Sequence, residues 1–459
     1  MPVVYLEAEQ VRQAERATGD LLTDGTLMQR AATGVAQTVL RELRRRSGRV
    51  YSAAVGLVIG AGDNGGDALY AGAQLARRGV AVTAVLLNPE KAHAGGLSSL
   101  RRAGGRVADE LPAGLDAVVD GVVGIGGRGP LRPEAAAVFA AVEPSTTVIA
   151  VDLPSGVDAD TGVVHHPSVR ADVTVTFGVR RRAHLLAAPQ CGRVELVDIG
   201  TGSTFGVQGD TGRLWALTDD EAADCWPLPG PADDKYTQGV VGIAAGSAQY
   251  PGAAILCTSA AVAATSGMTR YAGTAAEQVV AHRPEVVAAS SVTDAGRVQS
   301  WVVGPGLGTG AEARDTVAAV LSHDVPVLVD ADGLTILAHE PSLLSGRTAP
   351  TLLTPHAGEF ARLAGEPVGD DRLRAVRALA RELRATVLLK GRITLVADPS
   401  GESVYGNDVG ASWAATAGAG DVLSGIAGSL LAAGLTPQTA GAAAARLHAR
   451  AALEASQGA

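Results

Sequence analysis

The sequence predicts a layered α/β protein. Short apolar runs rich in Val, Ile and Leu alternate with Ala-rich amphipathic runs, the pattern of strands covered by helices. Glycine-rich loops carrying Asp, Asn or His follow several apolar runs directly, as they do where ligands bind at the strand ends of an open sheet. At 459 residues the chain is long enough for two domains, or three.

Composition narrows the partners. The net charge is −9 and no basic block occurs, which argues against nucleic acid. The opening MPVVYLEAEQVRQAER is charged too early for a secretory leader. Residues 252–268 are small and weakly apolar, and read as a packed helix, not a membrane span. Cys191, Cys225 and Cys257 lack metal-ligand spacing and read as buried thiols of a reducing compartment. A cytoplasmic location and no membrane partner are therefore expected. Ala-rich helices bury well against copies of themselves, so a homo-oligomer is expected. The only lysines are Lys91, Lys235 and Lys390, in a chain that otherwise uses arginine. Each is a candidate for chemistry needing a compact ammonium. Lys235 and Lys390 lie near site-like loops; Lys91 does not.

Taken in order, residues 3–46 read as helical, broken at Asp24-Gly25. A strand at 53–59 leads into GAGDNGGDALYAGAQLARRG, a glycine loop that opens a helix and suits a phosphate. The spacing is neither a dinucleotide GxGxxG nor a P-loop, and Asn64 and Asp67 add side-chain oxygens. A strand at 81–87 and a polar, Gly-rich connection follow. The strand 117–123 carries Asp120 and runs into GIGGRGP. The strand 147–151 ends at Asp152 and continues as DLPSGVDADTG, where Asp158 and Asp160 read as helix caps. Strands at 173–177 and 194–199 finish this half, and the basic run 179–184 between them reads as a solvated turn.

Residues 200–235 are rich in Gly, Asp, Thr and Pro and read as a linker or crossing segment. LWALTDDEAADCW within it suits one strand and one helical turn. The boundary falls near Gly206, so the expected division is 1–205, a connecting 206–234, and 235–459.

In the second half a strand at 240–245 precedes GSAQYPGA, and Gly252 and Ala253 open a long small-residue helix. Strand 301–303 leads to GPGLGTG, and strand 325–330 ends in Asp330 and Asp332. LLTPHAGEF sets His356 and Glu359 after a strand, and 386–389 delivers Lys390 and Gly391. The last segment, AATAGAGDVLSGIAG, turns at Gly418, Ala419 and Gly420 and places Asp421 where an apolar helix begins. Unsatisfied N–H groups at a helix start favour an anion. A carboxylate there can take a proton from a hydroxyl. Together they are what phosphoryl transfer to an alcohol requires.

Two resemblances follow from these segments. DNGGDAL, VVDGVVGIGGRGP and VDLPSGVDADTG, in that order, resemble the signatures of the NAD(P)HX epimerase family, the YjeF N-terminal domain, over about residues 5–205. The resemblance implies a Rossmann-like three-layer αβα domain. It implies that Asp63, Asn64, Gly65, Gly66 and Asp67, with Gly124, Ile125, Gly126, Gly127, Arg128, Gly129 and Pro130, cradle a hydrated nicotinamide dinucleotide. Asp152 would face the reacting ring as a catalytic group. Asn64, Asp120 and Ser155 match positions that hold K⁺, a cation suited to oxygen donors. Asp63 stands where the family usually has a second asparagine.

GSAQYPGA, GPGLG, VDADGL, TPHAGEF, LKGRIT and TAGAGDVLSG resemble the ADP- or ATP-dependent NAD(P)HX dehydratase family, the YjeF C-terminal domain, over about residues 230–455. This implies a ribokinase-like three-layer αβα domain. Ala253, Gly306 or Gly308, His356 and Asp421 would contact the substrate, with Asp421 catalytic. Lys390, Gly391, Arg392, Ile393, Thr394 and Gly420 would hold the nucleotide, and Glu359 would organise Mg²⁺ through water. Ala417 and Ala419 stand where glycine is more frequent in the family. The implied function is repair of hydrated NADH and NADPH, with ADP or ATP as co-substrate. A ribokinase-type kinase would share the GAGD logic but leaves the first half without a purpose. A non-catalytic first half is disfavoured by Asp120 and Asp152 at strand ends.

Overall fold

A computed structural model describes residues 2–124, 126–201, 213–264, 267–410 and 412–457. The chain forms two compact units: Val4–Gly209, and Asp210–Ala459 with Met1–Val3. The boundary expected near Gly206 and the site residue Ile125 lie outside the described residues. No helix among the described residues is long and apolar enough to cross a membrane.

The first unit holds β1 (Val3–Leu6), β2 (Ala54–Ile59), β3 (Ala81–Leu86), β4 (Arg106–Ala108), β5 (Ala117–Gly121), β6 (Thr147–Val151), β7 (Val173–Phe177), β8 (Arg180–Arg181) and β9 (Arg193–Val197). Seven of these make a parallel sheet in the order β4-β3-β2-β5-β6-β7-β9. One sheet face buries Val55, Leu57, Ile59, Val119, Ile149, Val151 and Val175 against the helices Thr26–Ser47 and Asp63–Ala76. On the other face the helix Pro133–Ala140 packs through Ala135 with Leu131, Val169 and Val148. Strand order reverses between β2 and β5, and ligands bind outside the strand ends at such a switch.

Two sequence expectations change here. The chain opens with a strand, not a helix: Val3, Val4 and Tyr5 are β-branched or aromatic, and β1 pairs with β8. The first helix starts at Ala8, where a Glu7–Gln10 capping box closes it. The polar connection after β3 contains the helix Ala94–Arg102 and β4.

The second unit holds β10 (Leu214–Ala216), β11 (Val240–Ala244), β12 (Met268–Ala272), β13 (Val287–Ala289), β14 (Ser300–Val303), β15 (Val327–Val329), β16 (Thr351–Leu353), β17 (Thr386–Leu389), β18 (Ile393–Ala397) and β19 (Val404–Asp408). They run β13-β12-β11-β14-β15-β16-β17-β18-β19-β10, parallel up to β17 and antiparallel through β18 and β19. The strand expected in LWALTDDEAADCW is β10, and the helical turn after it is capped by Thr218 and Glu221. Val241, Ile243, Val302, Leu328, Leu352 and Leu388 bury one face under the helices Pro251–Ala263, Ala419–Ala432 and Pro437–Ser456. Helices Ala311–Leu321 and Arg372–Leu383 cover the other. Here the order reverses between β11 and β14.

The helix that carries Asp421 is seated by close contact. A Cβ added at Gly425 would lie 2.2 Å from the Cys257 carbonyl and 2.8 Å from the Ala260 Cβ. Gly425→Ala is therefore expected to cost about 1–3 kcal/mol by overpacking, read as a lower melting temperature. An unchanged melt would contradict this seating.

Candidate active sites

In the first unit the loops after β2, β5 and β6 converge. Glycine is required at Gly60, because a Cβ there would stand 1.9 Å from the Val122 carbonyl. Asp63 opens the helix Asp63–Ala76 at the surface, and no side chain caps that helix. One turn in, Gly65, Gly66 and Asp67 are buried. Asn64 donates its Nδ2 to the Val151 carbonyl at 2.6 Å, and its Oδ1 lies 2.5 Å from where a Cβ on Gly124 would be. Gly127 donates to the Gly124 carbonyl, forming a turn that leaves Gly126, Arg128 and Pro130 at the surface with Gly129 at φ 80°. Asp120 is fully buried and accepts from Ser155 N at 2.8 Å, Ser155 Oγ at 2.7 Å and Val122 N at 3.2 Å. Burial pushes its carboxyl up to about 6 against those hydrogen bonds. Asp120 and Ser155 are thus in direct contact, and Asn64 sits on the adjoining loop against Val151 and Gly124. Asp160 is a helix cap, as expected, accepting from Ala8 N, while Asp158 closes its own loop on Thr161.

Asp152 is the most constrained group in this unit. Its φ is 65°, a region costly for a residue with a side chain. Oδ1 accepts from Thr176 Oγ1 at 3.0 Å and sits 3.1 Å from Arg181 Nη2. Its carbonyl is 2.7 Å from His184 Nε2, and His184 Nδ1 accepts from Arg181 N at 2.9 Å. Since Nδ1 accepts, the proton is on Nε2 and is donated to the Asp152 carbonyl. Asp152 Oδ2 is buried with no hydrogen-bond partner among the described residues. The run 179–184 is therefore not a solvated turn: Arg181, Arg182 and His184 are all buried. The pairing of β8 with β1 turns this strand inward, and Glu7 meets Arg182 there.

Burial lowers the His184 imidazole to about 4. The neutral ring is therefore favoured in the fold, and this stability is complete above 6.5 and is lost as pH falls from 6.5 towards 4. The loss is on the order of 3 kcal/mol. Melting temperature measured against pH should fall in this window for the native chain, and the fall should shrink in His184→Gln. Parallel curves would contradict the assignment.

In the second unit the loops after β11 and β14 meet at the switch. Gly246 N donates to the Pro305 carbonyl at 2.7 Å. Gly306 has φ 65°, and a Cβ there would lie 2.7 Å from the Ala253 Cβ. Gly308 N donates to Asp332 Oδ2 at 2.8 Å. At the centre stands Asp330, which accepts from Lys390 Nζ at 2.7 Å and from Ser424 Oγ at 2.7 Å. Lys390 Nζ is also 3.7 Å from Glu359 Oε2, and 3.5 Å from where a Cβ on Gly420 would be. Burial works against the Lys390 charge, but Asp330 and Glu359 outweigh it and raise its pKa. The helix Ala419–Ala432 starts from Gly418 in the left-handed region with no side-chain cap, so its N-terminal dipole is open. Asp421 in its first turn is pushed up to about 6, by burial first and then by Asp330 and Asp332, against Lys390.

His356 caps the helix Ala357–Ala364: its Nδ1 accepts from Gly358 N and Glu359 N, and Glu359 Oε2 accepts from His356 N at 2.8 Å. The ring is half exposed, and its Nε2 lies 3.4 Å from Glu359 Oε1. Gly391 is overlaid by Arg372, whose Nη2 donates to the Lys390 and Ile393 carbonyls at 3.3 Å. Arg392 pairs with Asp408, the Ile393 side chain is buried in the sheet, and Thr394 Oγ1 turns back to the Gly391 carbonyl. Lys235 is exposed over the Tyr236 ring and Lys91 lies in a 3₁₀ turn. Arg181, His184, Ser424 and Asp330 were not among the residues assigned from sequence. Only Asp330 left a signal, as the first aspartate of VDADGL.

Two α/β units, each bringing glycine loops and carboxylates together at its switch point, define an enzyme of two sites. The family described as NAD(P)H-hydrate dehydratase matches residues 241–459, and the family described as YjeF-related protein N-terminus matches 24–183. The chain is 58% identical to the bifunctional NAD(P)H-hydrate repair enzyme Nnr of Mycobacterium leprae (strain TN), covering 98% of this chain and 93% of that one. It is 57% identical to the enzyme of the same name from Mycobacterium tuberculosis (strain H37Rv), covering 94% and 89%. A solved ADP/ATP-dependent NAD(P)H-hydrate dehydratase from Bacillus subtilis, co-crystallised with ATP/Mg²⁺, is 27% identical with a TM-score of 0.47, covering 53% of this chain and 90% of that one. The chain belongs to the bifunctional NAD(P)H-hydrate repair enzyme family.

Proposed function

We propose that this chain returns hydrated NADH and NADPH to their working forms. The first unit, Val4–Gly209, interconverts the R and S hydrates, and the second, which takes in Asp210–Ala459, dehydrates the S hydrate at the expense of ADP or ATP. Residues 213–234, expected from sequence to be part of a connecting segment, belong to the second unit, where β10 pairs with β19. The observation that carries the reading is Asp421: a carboxyl raised towards neutrality, in the first turn of an uncapped helix, beside Lys390.

In the dehydratase Asp421 takes the proton of the ring hydroxyl, whose oxygen then attacks the terminal phosphoryl group. The N–H groups at Gly420 and Asp421 face the charge that develops, and Lys390, held by Asp330, supports it. The C–O bond then breaks as phosphate leaves, pushed by the ring-nitrogen lone pair, and a proton lost from the neighbouring ring carbon to solvent restores the ring double bond. Ala253, Gly306, Gly308 and His356 line the substrate side; Lys390, Gly391, Arg392, Ile393, Thr394 and Gly420 line the nucleotide side, Ile393 through its backbone. Glu359 is engaged by His356 N and lies near Lys390, so it fits Mg²⁺ only through water. When bound, Mg²⁺ neutralises phosphate charge.

In the epimerase Asp152 presents its free Oδ2 to the hydrated ring, while residues 63–67 and 124–130 hold the dinucleotide. Asp120 is a buried carboxyl whose partners are uncharged donors, and with Ser155 and Asn64 it forms an oxygen-rich set that fits K⁺. Bound there, K⁺ would supply the missing positive charge. The three free thiols agree with a reducing cytoplasm, and self-association through Ala-rich helices is read by sedimentation.

The test is to add the S hydrate of NADH with ADP or ATP and Mg²⁺. Near-ultraviolet absorbance of reduced nicotinamide should return as phosphate is released in equal amount. No return with either nucleotide would overturn the dehydratase half.

A further inference from the structure

One carboxyl outside every signature loop lies among the charged groups of the first site. Glu15 lies on the helix Ala8–Arg16, at helical spacing from buried Ala8 and Val11, so it belongs to the covered stripe. That helix is fastened to the chain beyond the strand ends at two points and comes close at a third. Ala8 N donates to Asp160 Oδ1 at 2.7 Å, Glu7 pairs with Arg182, and Arg12 Nη2 is 3.5 Å from where a Cβ on Gly126 would be. Among the described residues, the Glu15 carboxyl makes no hydrogen bond or salt bridge.

What faces Glu15 is charge. Asp152 follows β6 and Arg181 ends β8, Asp63 and Asp67 come from the helix after β2, and Arg12 from its own helix. Asp67 and Asp152 are almost wholly buried, and each keeps one oxygen without a partner. Four carboxyls thus lie within electrostatic reach of two guanidinium groups, and two of their oxygens are buried without a partner among the described residues. Where carboxyls crowd together, the environment pushes their pKa values apart. Asp152 is fixed by Arg181 and Thr176. Glu15, without a partner, is raised by burial and by Asp152 and Asp63.

We propose that Glu15 is the proton donor of the epimerising site, acting across the ring from Asp152. The proposal rests on the function given above and deepens it. Hydroxide is a poor leaving group, so Glu15 gives its proton to the ring hydroxyl. The C–O bond breaks, water departs, and the ring-nitrogen lone pair forms C=N. Water adds to the same carbon from the other face, the C=N pair returns to nitrogen, and the released proton passes to the Asp152 carboxylate. Nothing is oxidised or reduced, and the carboxyls return to their starting states by exchange with solvent. In the reverse direction their roles are exchanged.

Glu15→Gln keeps the shape and hydrogen-bonding capacity but has no proton to transfer. Its kcat for epimerising the R hydrate should fall about 10²-fold or more, with KM little changed. The alkaline limb of the native pH–rate profile, where Glu15 loses its proton, should disappear. Dehydration of the S hydrate by the same polypeptide should be unchanged, showing that the chain is folded. Glu15→Asp should recover part of the rate, and the native enzyme in heavy-oxygen water should exchange the ring oxygen at each turnover. A native chain that epimerises while Glu15→Gln is equally fast overturns this inference and leaves the proposed function standing. Glu15→Asp as slow as Glu15→Gln, or turnover without oxygen exchange, also overturns it. A native chain that does not epimerise overturns the function itself.

Discussion

Asp421→Asn folds with the native melting temperature and loses dehydratase turnover by about 10³-fold, within the range expected when a general base is removed. The substitution changes little else. Asp421 is only partly buried, and it competes for Lys390 with Asp330, which already holds that ammonium at 2.7 Å. The same residue sets a pH dependence. A base works only when ionised, and burial with Asp330 and Asp332 pushes this one up to about 6. The kcat/KM of the native dehydratase should therefore fall as pH drops through about 6. Epimerisation by Asp421→Asn should match the native rate. A variant that still dehydrates at the native rate would remove Asp421 from the mechanism.

Asp152→Asn has the second large effect, and of a different kind. Epimerisation of the R hydrate should fall about 10²- to 10⁴-fold, because the oxygen facing the ring no longer accepts a proton. Here stability falls too. Arg181 is 1% exposed, and Asp152 is its carboxylate partner at 3.1 Å. Removing that charge leaves a buried guanidinium uncompensated, at a cost of about 3–5 kcal/mol. Rates are therefore compared below the variant's melting temperature, with dehydration of the S hydrate as the internal control. Native epimerisation in a folded Asp152→Asn would overturn the role assigned to Asp152. An unchanged melt would contradict the buried ion pair.

What the sequence made legible was local. The glycine loops could be found because their demands are made by the backbone beside them: Gly60 has no room for a Cβ against Val122, and Gly306 needs φ 65°. Asp421 was legible because a helix start and a carboxylate are neighbours in the chain. The partnerships were not legible. Lys390 and Asp330 are 60 residues apart, and only parallel pairing across β15, β16 and β17 brings them within a hydrogen bond. The run at 179–184 looks like a solvated charge cluster, and the pairing of β8 with β1 reverses that. Glu15 looks ordinary within AEQVRQAER until its helix is laid over the strand ends. Residue type and spacing identified the loops; which side chains face inward was decided by contacts between distant segments.

One polypeptide supplying both activities in sequence can be followed by giving the native chain only the R hydrate of NADH, with ADP or ATP and Mg²⁺, and recording the absorbance of reduced nicotinamide. Complete recovery is expected, with the S hydrate as a transient species and one phosphate released per NADH. An R hydrate that persists while added S hydrate is consumed would contradict it.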